Sequence, residues 1–473
     1  MKGDDTLNES GLRFRHGPVI WAIAAVLGLF AGALAIKALP PHLDSAGHPH
    51  IPLYLVAPFA ALLASIALMP FVSQRIWHRH YPDFAFALGG MVAGYYLAGF
   101  GAHGRHALLH SLIEYYAFIA LVGGLYVVSG GILIKTTGRA RPLTNTLLLA
   151  FGAVLANLVG TTGASVLLIR PFMRLNEGRL KPLHVVLFIF IVSNCGGCLT
   201  PIGDPPLYLG YLKGVPFFWT LTALWQDWLL TVGLLLAVFF VYDTIIERRT
   251  EPAQHGSARL SIEGGTGLVC LLLMIAGVFI DPFLDKQFGI HGIPIGATFQ
   301  ALVAIGAYLM APKPLLSQNE FTFEPVKEVG LLFIGIFLTM IPALGYLAAN
   351  GAKLGIDSAS SFYWGTGSLS AVLDNAPTYL NFLQVAMPGG RAIDAQGVQE
   401  LLALPGGHRT LVAISTGAVF FGAMTYIGNG PNFMVRAIAE AAGVKMPSFF
   451  GYLGWAVVIL LPILAVHWLL LIR

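Results

Sequence analysis

Apolar runs long enough to cross a lipid bilayer recur along this chain. A hydrocarbon core of about 30 Å needs roughly 20 apolar residues in helical form, because each residue rises only about 1.5 Å. Such runs fall near 18–39, 51–73, 84–100, 106–134, 182–212, 218–246, 262–282, 293–311, 326–349, 406–440 and 448–472. Backbone in lipid must bond to itself, so the runs predict helices and the fold class is an all-α polytopic membrane protein with about 11 transmembrane helices. Composition agrees, since 56% of the 473 residues are apolar and 11% are Asp, Glu, Lys or Arg, against about 25% charged in soluble domains. A soluble enzyme, a disordered chain, collagen and a nucleic-acid binder are excluded. Cys195, Cys198 and Cys270 all lie in apolar sequence and imply no disulfide framework.

Two further apolar stretches, 143–170 and 358–386, are each broken at the centre, by 157–163 in one and 374–377 in the other. Each half is too short to span, so both read as re-entrant hairpins, whose tips are tolerated where protein or a water-filled cavity satisfies the backbone. Residues 1–17 mix Asp4, Asp5 and Glu9 with Lys2, Arg13 and Arg15, unlike the basic start of a secretory signal, so the first run is expected to be retained. Most of the 27 Lys and Arg residues fall on one side when the N-terminus is placed in the cytoplasm and the C-terminus outside. That threading puts both ends of the first hairpin inside and both ends of the second outside.

The chain also resembles itself. AVLxN occurs at 153–157 and again at 371–375, and GxxTxIGxxP occurs at 197–206 and again at 422–431. Both motifs repeat after about 220 residues, in the same order. The expected organisation is an N-terminal tail and first helix at 1–50, one repeat at 51–250, a cytoplasmic linker at 251–261 and a second repeat at 262–473. Each repeat holds five crossings, and that odd number forces inverted topology. Each also holds one hairpin and one broken helix, at 182–212 and 406–440. Interrupted segments at matching positions of inverted repeats point to a secondary transporter with its site near the midplane.

Gly203, Pro205 and Pro206 break one helix, and Gly428, Gly430 and Pro431 the other. Unwound carbonyls and small polar side chains then surround each gap: Ser193, Asn194, Thr200 and Asp204 in the first half, Thr425 and Asn429 in the second. The hairpin tips add Asn157, Thr161, Thr162 and Ser165, then Asp374, Asn375 and Thr378. Hard oxygen donors of this kind suit sodium or protons. Asp204 and Asp374 carry the sharpest signal, because a carboxylate at the centre of a span costs about 2.5–3.5 kcal/mol on an insertion scale. A proton and a cation can compete for such a group, and that competition is the basis of antiport. The bland alternatives are close helix packing by small residues and helix capping by the two acids.

The segments SNCGGCLTPIGDPPLYLGYLKGVPFFW, AVLDNAPTYLNFL, FEPVKEVGLLFIGIFLTMIPAL and GAMTYIGNGPNFMVRAIAE resemble the ion-transporter superfamily, closest to its branch of sodium/proton antiporters and citrate-transport-like proteins. Arsenite permeases and sodium-coupled dicarboxylate transporters belong to the same superfamily. The resemblance implies a scaffold that forms a homodimer, a mobile transport unit built from hairpins and broken helices, and residence in a bacterial inner membrane. In dicarboxylate members each hairpin tip carries a Ser-Asn-Thr motif for sodium and substrate. Here 156–158 is Ala-Asn-Leu and 374–376 is Asp-Asn-Ala, and an added Asp would repel an anion.

The expected function is therefore sodium/proton exchange by alternating access, with cation-coupled transport of citrate or another di- or tricarboxylate as the alternative. A channel would need no occluded site, and twinned hairpins speak against it. No catalytic residue, organic cofactor or nucleic-acid partner is expected; sodium, protons, a small carboxylate under the alternative, and the lipid bilayer are. Glu114 and Glu328, near the starts of the fourth and ninth spans, read as helix-start residues or a proton relay. Cys195 and Cys198 have metal or redox spacing but read as packing residues. His42, His48, His50, His78, His80, His103, His106 and His110 fall in loops expected on opposite sides, so no single metal site is expected. The stretch 384–408 reads as an external loop.

Overall fold

The structure is a computed structural model that describes residues 17–43, 49–137, 141–249, 259–290 and 292–473. The tail with Lys2, Arg13 and Arg15, together with His48, Arg139 and most of the expected linker, lies outside the described residues. The chain starts with α1 (Pro18–Ala35), α2 (Ala57–Val72), α3 (Gln74–Gly99) and α4 (Gly101–Gly130). Gly28 and Gly32 of α1 lie against the α3 backbone at Ala87 and Met91, and Gly90 and Gly94 of α3 against the α1 backbone at Ala25 and Leu29, so a Cβ at any of the four would strike the facing chain. Small residues are what allow two such helices to pack closely in lipid.

Next comes α5 (Pro142–Leu175), which is two arms joined at Gly160, whose φ of 77° and ψ of 156° belong to glycine. A Cβ on Gly152 would lie 2.8 Å from the Leu168 side chain, although a straight helix would separate them by roughly 24 Å. The chain therefore doubles back, and 142–175 is the first hairpin. Its base is fixed by a buried polar cluster. Asp243 accepts hydrogen bonds from Asn145 at the start of the hairpin (2.8 Å), pairs with the Arg179 guanidinium and meets His184 Nε2 (3.0 Å). Asn145 and Asn176, at the two ends of the hairpin, donate to one another at 2.7 and 3.0 Å.

The first broken helix is α6 (Pro182–Ile191), a 3-10 turn at Cys195–Leu199 and α7 (Pro205–Leu212), followed by the long α8 (Trp219–Arg248), which carries Asp243. After the undescribed residues, Arg259–Glu263 pairs antiparallel with Leu133–Thr137. The last residues of the expected linker, 259–261, thus satisfy the backbone of a strand that follows α4. Then come α9 (Gly265–Val278), α10 (Ile280–Phe288), α11 (Ile295–Met310), α12 (Lys313–Gln318) and α13 (Glu324–Asn350).

The second hairpin is α14 (Ala359–Ser370) and α15 (Asn375–Ala386), whose arms meet through Phe362 and Phe382, with ring centroids 6.5 Å apart. The stretch expected as a loop at 384–408 instead holds α16 (Ala395–Ala403), because Asp394 Oδ1 accepts the Gly397 N–H at 2.6 Å and caps a helix start. The second broken helix is α17 (Gly407–Phe421), a 3-10 turn at Gly422–Met424 and α18 (Gly430–Ala441), and the chain ends with α19 (Phe449–Trp455) and α20 (Leu461–His467).

The protein is an all-α polytopic membrane protein. Among the described residues, nine helical segments are long and apolar enough to cross a bilayer. One of them is the doubled-back 142–175, so length alone overstates it. Contacts divide the helices into two groups. α1 to α4, α9, α11 and α13 pack on one another, while both hairpins and both broken helices pack with α8 and the terminal helices. The groups meet where α4 lies against α5 and α13 against α15.

Candidate functional site

The two helix breaks have nearly the same backbone. Each ends its first helix in a 3-10 turn, then extends at a threonine, with φ/ψ of −136°/154° at Thr200 and −136°/168° at Thr425. Each extends again at the residue before the next helix, with −142°/144° at Asp204 and −154°/139° at Asn429. Proline suits the first turn that follows, where its missing N–H has no partner to lose, and Pro205, Pro206 and Pro431 sit there. Gly203 lies against the Gly197 backbone and Gly428 against that of Gly422. A side chain at either position would open the loop.

Each break is tied to the hairpin of its own half. The Thr200 hydroxyl donates to the Asn157 carbonyl and the Thr425 hydroxyl to the Ala371 carbonyl, both at 2.6 Å. The paired asparagines of the two AVLxN motifs do different work. Asn157 donates to the Ala153 carbonyl (2.9 Å) and the Gly196 carbonyl (2.7 Å) and accepts the Leu199 N–H (2.7 Å), so its amide locks the first tip to the first break. Asn375 instead donates to Asp204 Oδ2 at 2.7 Å.

Asp204 is the point at which all four interrupted segments meet. It belongs to the first broken helix. Thr161 of the first tip donates to its Oδ1 at 2.8 Å, Asn429 of the second broken helix to the same oxygen at 2.9 Å, and Asn375 of the second tip to Oδ2. Its residue exposure is 1%. Asn429 also reaches Asn194 Oδ1 (3.2 Å) and the Ser193 carbonyl (3.3 Å), and the Ser193 hydroxyl is 2.7 Å from that of Ser165. Among the described residues no Lys or Arg bonds to Asp204 or Asp374. Every partner of Asp204 is a neutral donor.

Asp374 caps α15, accepting the Ala376 N–H at 3.0 Å, and Thr378 donates to the Asp374 carbonyl at 2.8 Å. The capping alternative therefore describes part of what Asp374 does. Asp374 also faces a cavity of about 800 Å³ between the two groups of helices, lined as well by Thr162, Asn375, Asn429, Gly430 and Glu328. The second arm of the first hairpin, α7, α15 and α18 all begin at or beside this cavity, and helix N-termini favour negative charge.

Glu114 stands apart from this arrangement. α4 begins at Gly101, so Glu114 is well inside the helix and not at its start, contrary to the sequence expectation; it pairs with Lys213 at 2.7 Å. Glu328 lies on the cavity wall in the second turn of α13. Asn432 was not singled out in the sequence, yet it is fully buried, accepts from Asn194 (2.6 Å) and donates to the carbonyls of Gly422 (2.8 Å) and Thr425 (2.9 Å). Asp227, Asp243 and His467 were passed over too. Their signal was available, since each is an ionisable residue inside an apolar span.

Residues 48–472 match a family model described as "Putative citrate transport". Uncharacterized transporters of Mycobacterium bovis and Mycobacterium tuberculosis are each 24% identical to the chain over 335 residues, which is 65% of this chain and 72% of theirs.

Proposed function

Because the chain belongs to this citrate-transport family and is an integral membrane transporter, we propose that it is a secondary transporter exchanging sodium for protons at the Asp204 and Asp374 site. One observation carries the reading: the buried Asp204 carboxylate, with the half-buried Asp374 near it, has neutral hydroxyls and amides, and no basic side chain, as its bonding partners. An anionic cargo would meet like charge there. A cation would not.

The arriving ion needs oxygen ligands. Asn375 and Asn429 point their NH₂ groups at Asp204, and the two ends of an amide are nearly alike in shape. Rotating each amide by half a turn replaces a donor with an acceptor. The carboxylate, the two amide oxygens and the Thr161 hydroxyl then supply hard ligands for sodium. A proton on Asp204 removes the charge that draws the ion, so proton and sodium exclude one another and apparent sodium affinity falls as pH falls. On this reading the two halves are inverted repeats. α1 to α4, α9, α11 and α13 form the fixed scaffold through which two copies pair, and the hairpins and broken helices move across it.

A second reading has its own support. The family description and a cavity far larger than a bare ion, with helix N-termini at its edge, favour a citrate-like carboxylate carried together with the cation. Proteoliposomes holding a pH-sensitive dye separate the two. Under the exchange reading, external sodium alone makes the lumen alkaline. A response that requires citrate as well supports the carboxylate reading, and no response to either overturns both.

A further inference from the structure

Away from the Asp204 site, three ionisable side chains from three helices form a buried chain. His467 of α20 places Nε2 2.7 Å from Asp227 Oδ1 of α8, and its Nδ1 3.0 Å from the Tyr363 hydroxyl of α14. That hydroxyl is in turn 3.1 Å from the Leu464 carbonyl. His467 and Tyr363 are fully buried, and Asp227 is nearly so. We propose that Asp227, His467 and Tyr363 form a proton-binding site within the membrane-spanning helices, whose loading sets how the second hairpin is tied to the terminal helix.

Counting hydrogens carries the argument. Tyr363 has one hydroxyl hydrogen and two acceptors within reach. If it donates to Leu464, Nδ1 must carry a hydrogen to bond the Tyr363 oxygen. Nε2 then faces the carboxylate, and two lone-pair atoms at 2.7 Å require a proton between them, so Asp227 and His467 share one. In the other arrangement Tyr363 donates to Nδ1, Nε2–H donates to the Asp227 carboxylate, and the bond to Leu464 is released. Both arrangements fit the same heavy-atom positions, and they differ by one proton. Loading therefore forms the Tyr363 to Leu464 bond between hairpin and terminal helix, and unloading breaks it.

The surroundings isolate this equilibrium. The Phe420 and Phe421 rings of α17 pack against His467 and Tyr363, with centroids at 5.3 Å in each case. The ionisable neighbours are the thiols of Cys195 and Cys198 on the 3-10 turn of the first break. At the helix ends, Arg409 of α17 donates to the Arg473 carbonyl and His408 packs on Trp219. Among the described residues no Lys or Arg bonds to the three. Thr231, one turn along α8 from Asp227, is fully buried and its hydroxyl has no partner among the described residues, which places a further polar group on the same face as the acid. The site also touches the transport elements on both sides. Tyr363 lies in the first arm of the second hairpin, and Trp228, next to Asp227, donates to the Gly196 carbonyl of the first break at 2.8 Å.

Insofar as it links this proton to transport, the proposal rests on the reading of the protein as a proton-coupled transporter; proton binding itself does not. The test is a pH titration of the full-length protein in detergent with ¹⁵N-labelled histidine. His467, one of 14 histidines, is assigned by its absence from H467Q, or by its response to Y363F if H467Q does not accumulate. The expected result is a change with rising pH from a form protonated on Nδ1, with the shared proton beside it, to the neutral Nε2–H tautomer. D227N removes the negative partner and moves that change to lower pH. The Nε2–H tautomer at every pH, or an identical change in D227N, overturns the proposal. This readout needs no transported ion, so its failure is distinct from a failure of the sodium or citrate assay.

Discussion

Asn157 and Asn375 occupy the same place in a repeated motif, yet their surroundings predict different losses. Asn157→Ala strands the half-buried Leu199 N–H and removes two further bonds of its own amide, which costs about 1–3 kcal/mol, and should show as a lowered thermal midpoint in detergent. Asn375→Ala removes the donor to Asp204 Oδ2, a group that taking up a proton can relieve, so stability should fall less than in Asn157→Ala while apparent sodium affinity drops roughly tenfold, about 1.4 kcal/mol. Equal losses of stability in the two variants would contradict this division of roles. The motif made both residues visible in the sequence, because AVLxN occurs twice at matching positions. Their distinct partners were not visible. Asp204 collects Thr161, Asn375 and Asn429 from three segments far apart in the chain, and no local pattern encodes that meeting.

At the scale of elements, the hairpins and broken helices were legible because glycine, proline and polar residues interrupt runs that are otherwise apolar. Gly160 is the sharpest case. Its φ and ψ lie in a region essentially reserved for glycine, where a side chain costs about 1–3 kcal/mol. Gly160→Ala should displace Thr161 from Asp204 and cut sodium-driven flux, with the protein still inserted and monodisperse; unchanged flux would mean that the tip does not position the site. What holds the hairpin base was hidden, since Asn145, Asn176, Arg179, His184 and Asp243 come together only after folding. Asp243→Asn leaves Arg179 as a buried charge without its carboxylate, a loss of about 3–5 kcal/mol, and thermal unfolding should move down accordingly. A midpoint equal to wild type would show that the pair does not anchor the hairpin. The strand pair at 133–137 and 259–263 escaped the sequence reading for a related reason. Neither five-residue segment signals a strand without its partner.

Across the whole molecule, the bias of basic residues and the odd number of crossings per half predict one threading. Single cysteines at Arg249 and Gly390, in a background lacking Cys195, Cys198 and Cys270, should label from opposite faces, the first from the cytoplasm and the second from outside. Labelling of both from one face would overturn the inverted arrangement of the halves. The apolar runs announced a polytopic membrane protein, but the sequence alone could not choose between cation and carboxylate as cargo, because one cavity presents acidic side chains, Asp374 and Glu328 among them, together with several helix N-termini. The claim that Asp204 is where sodium and protons compete is tested most directly by ²²Na uptake into proteoliposomes with an acidic lumen, comparing wild type with Asp204→Asn. The account predicts uptake driven by the proton gradient in wild type without citrate, and its loss by about a hundredfold or more in the variant, about 2.7 kcal/mol or more. Equal uptake by the two proteins, or uptake that appears only when citrate is added, would contradict it.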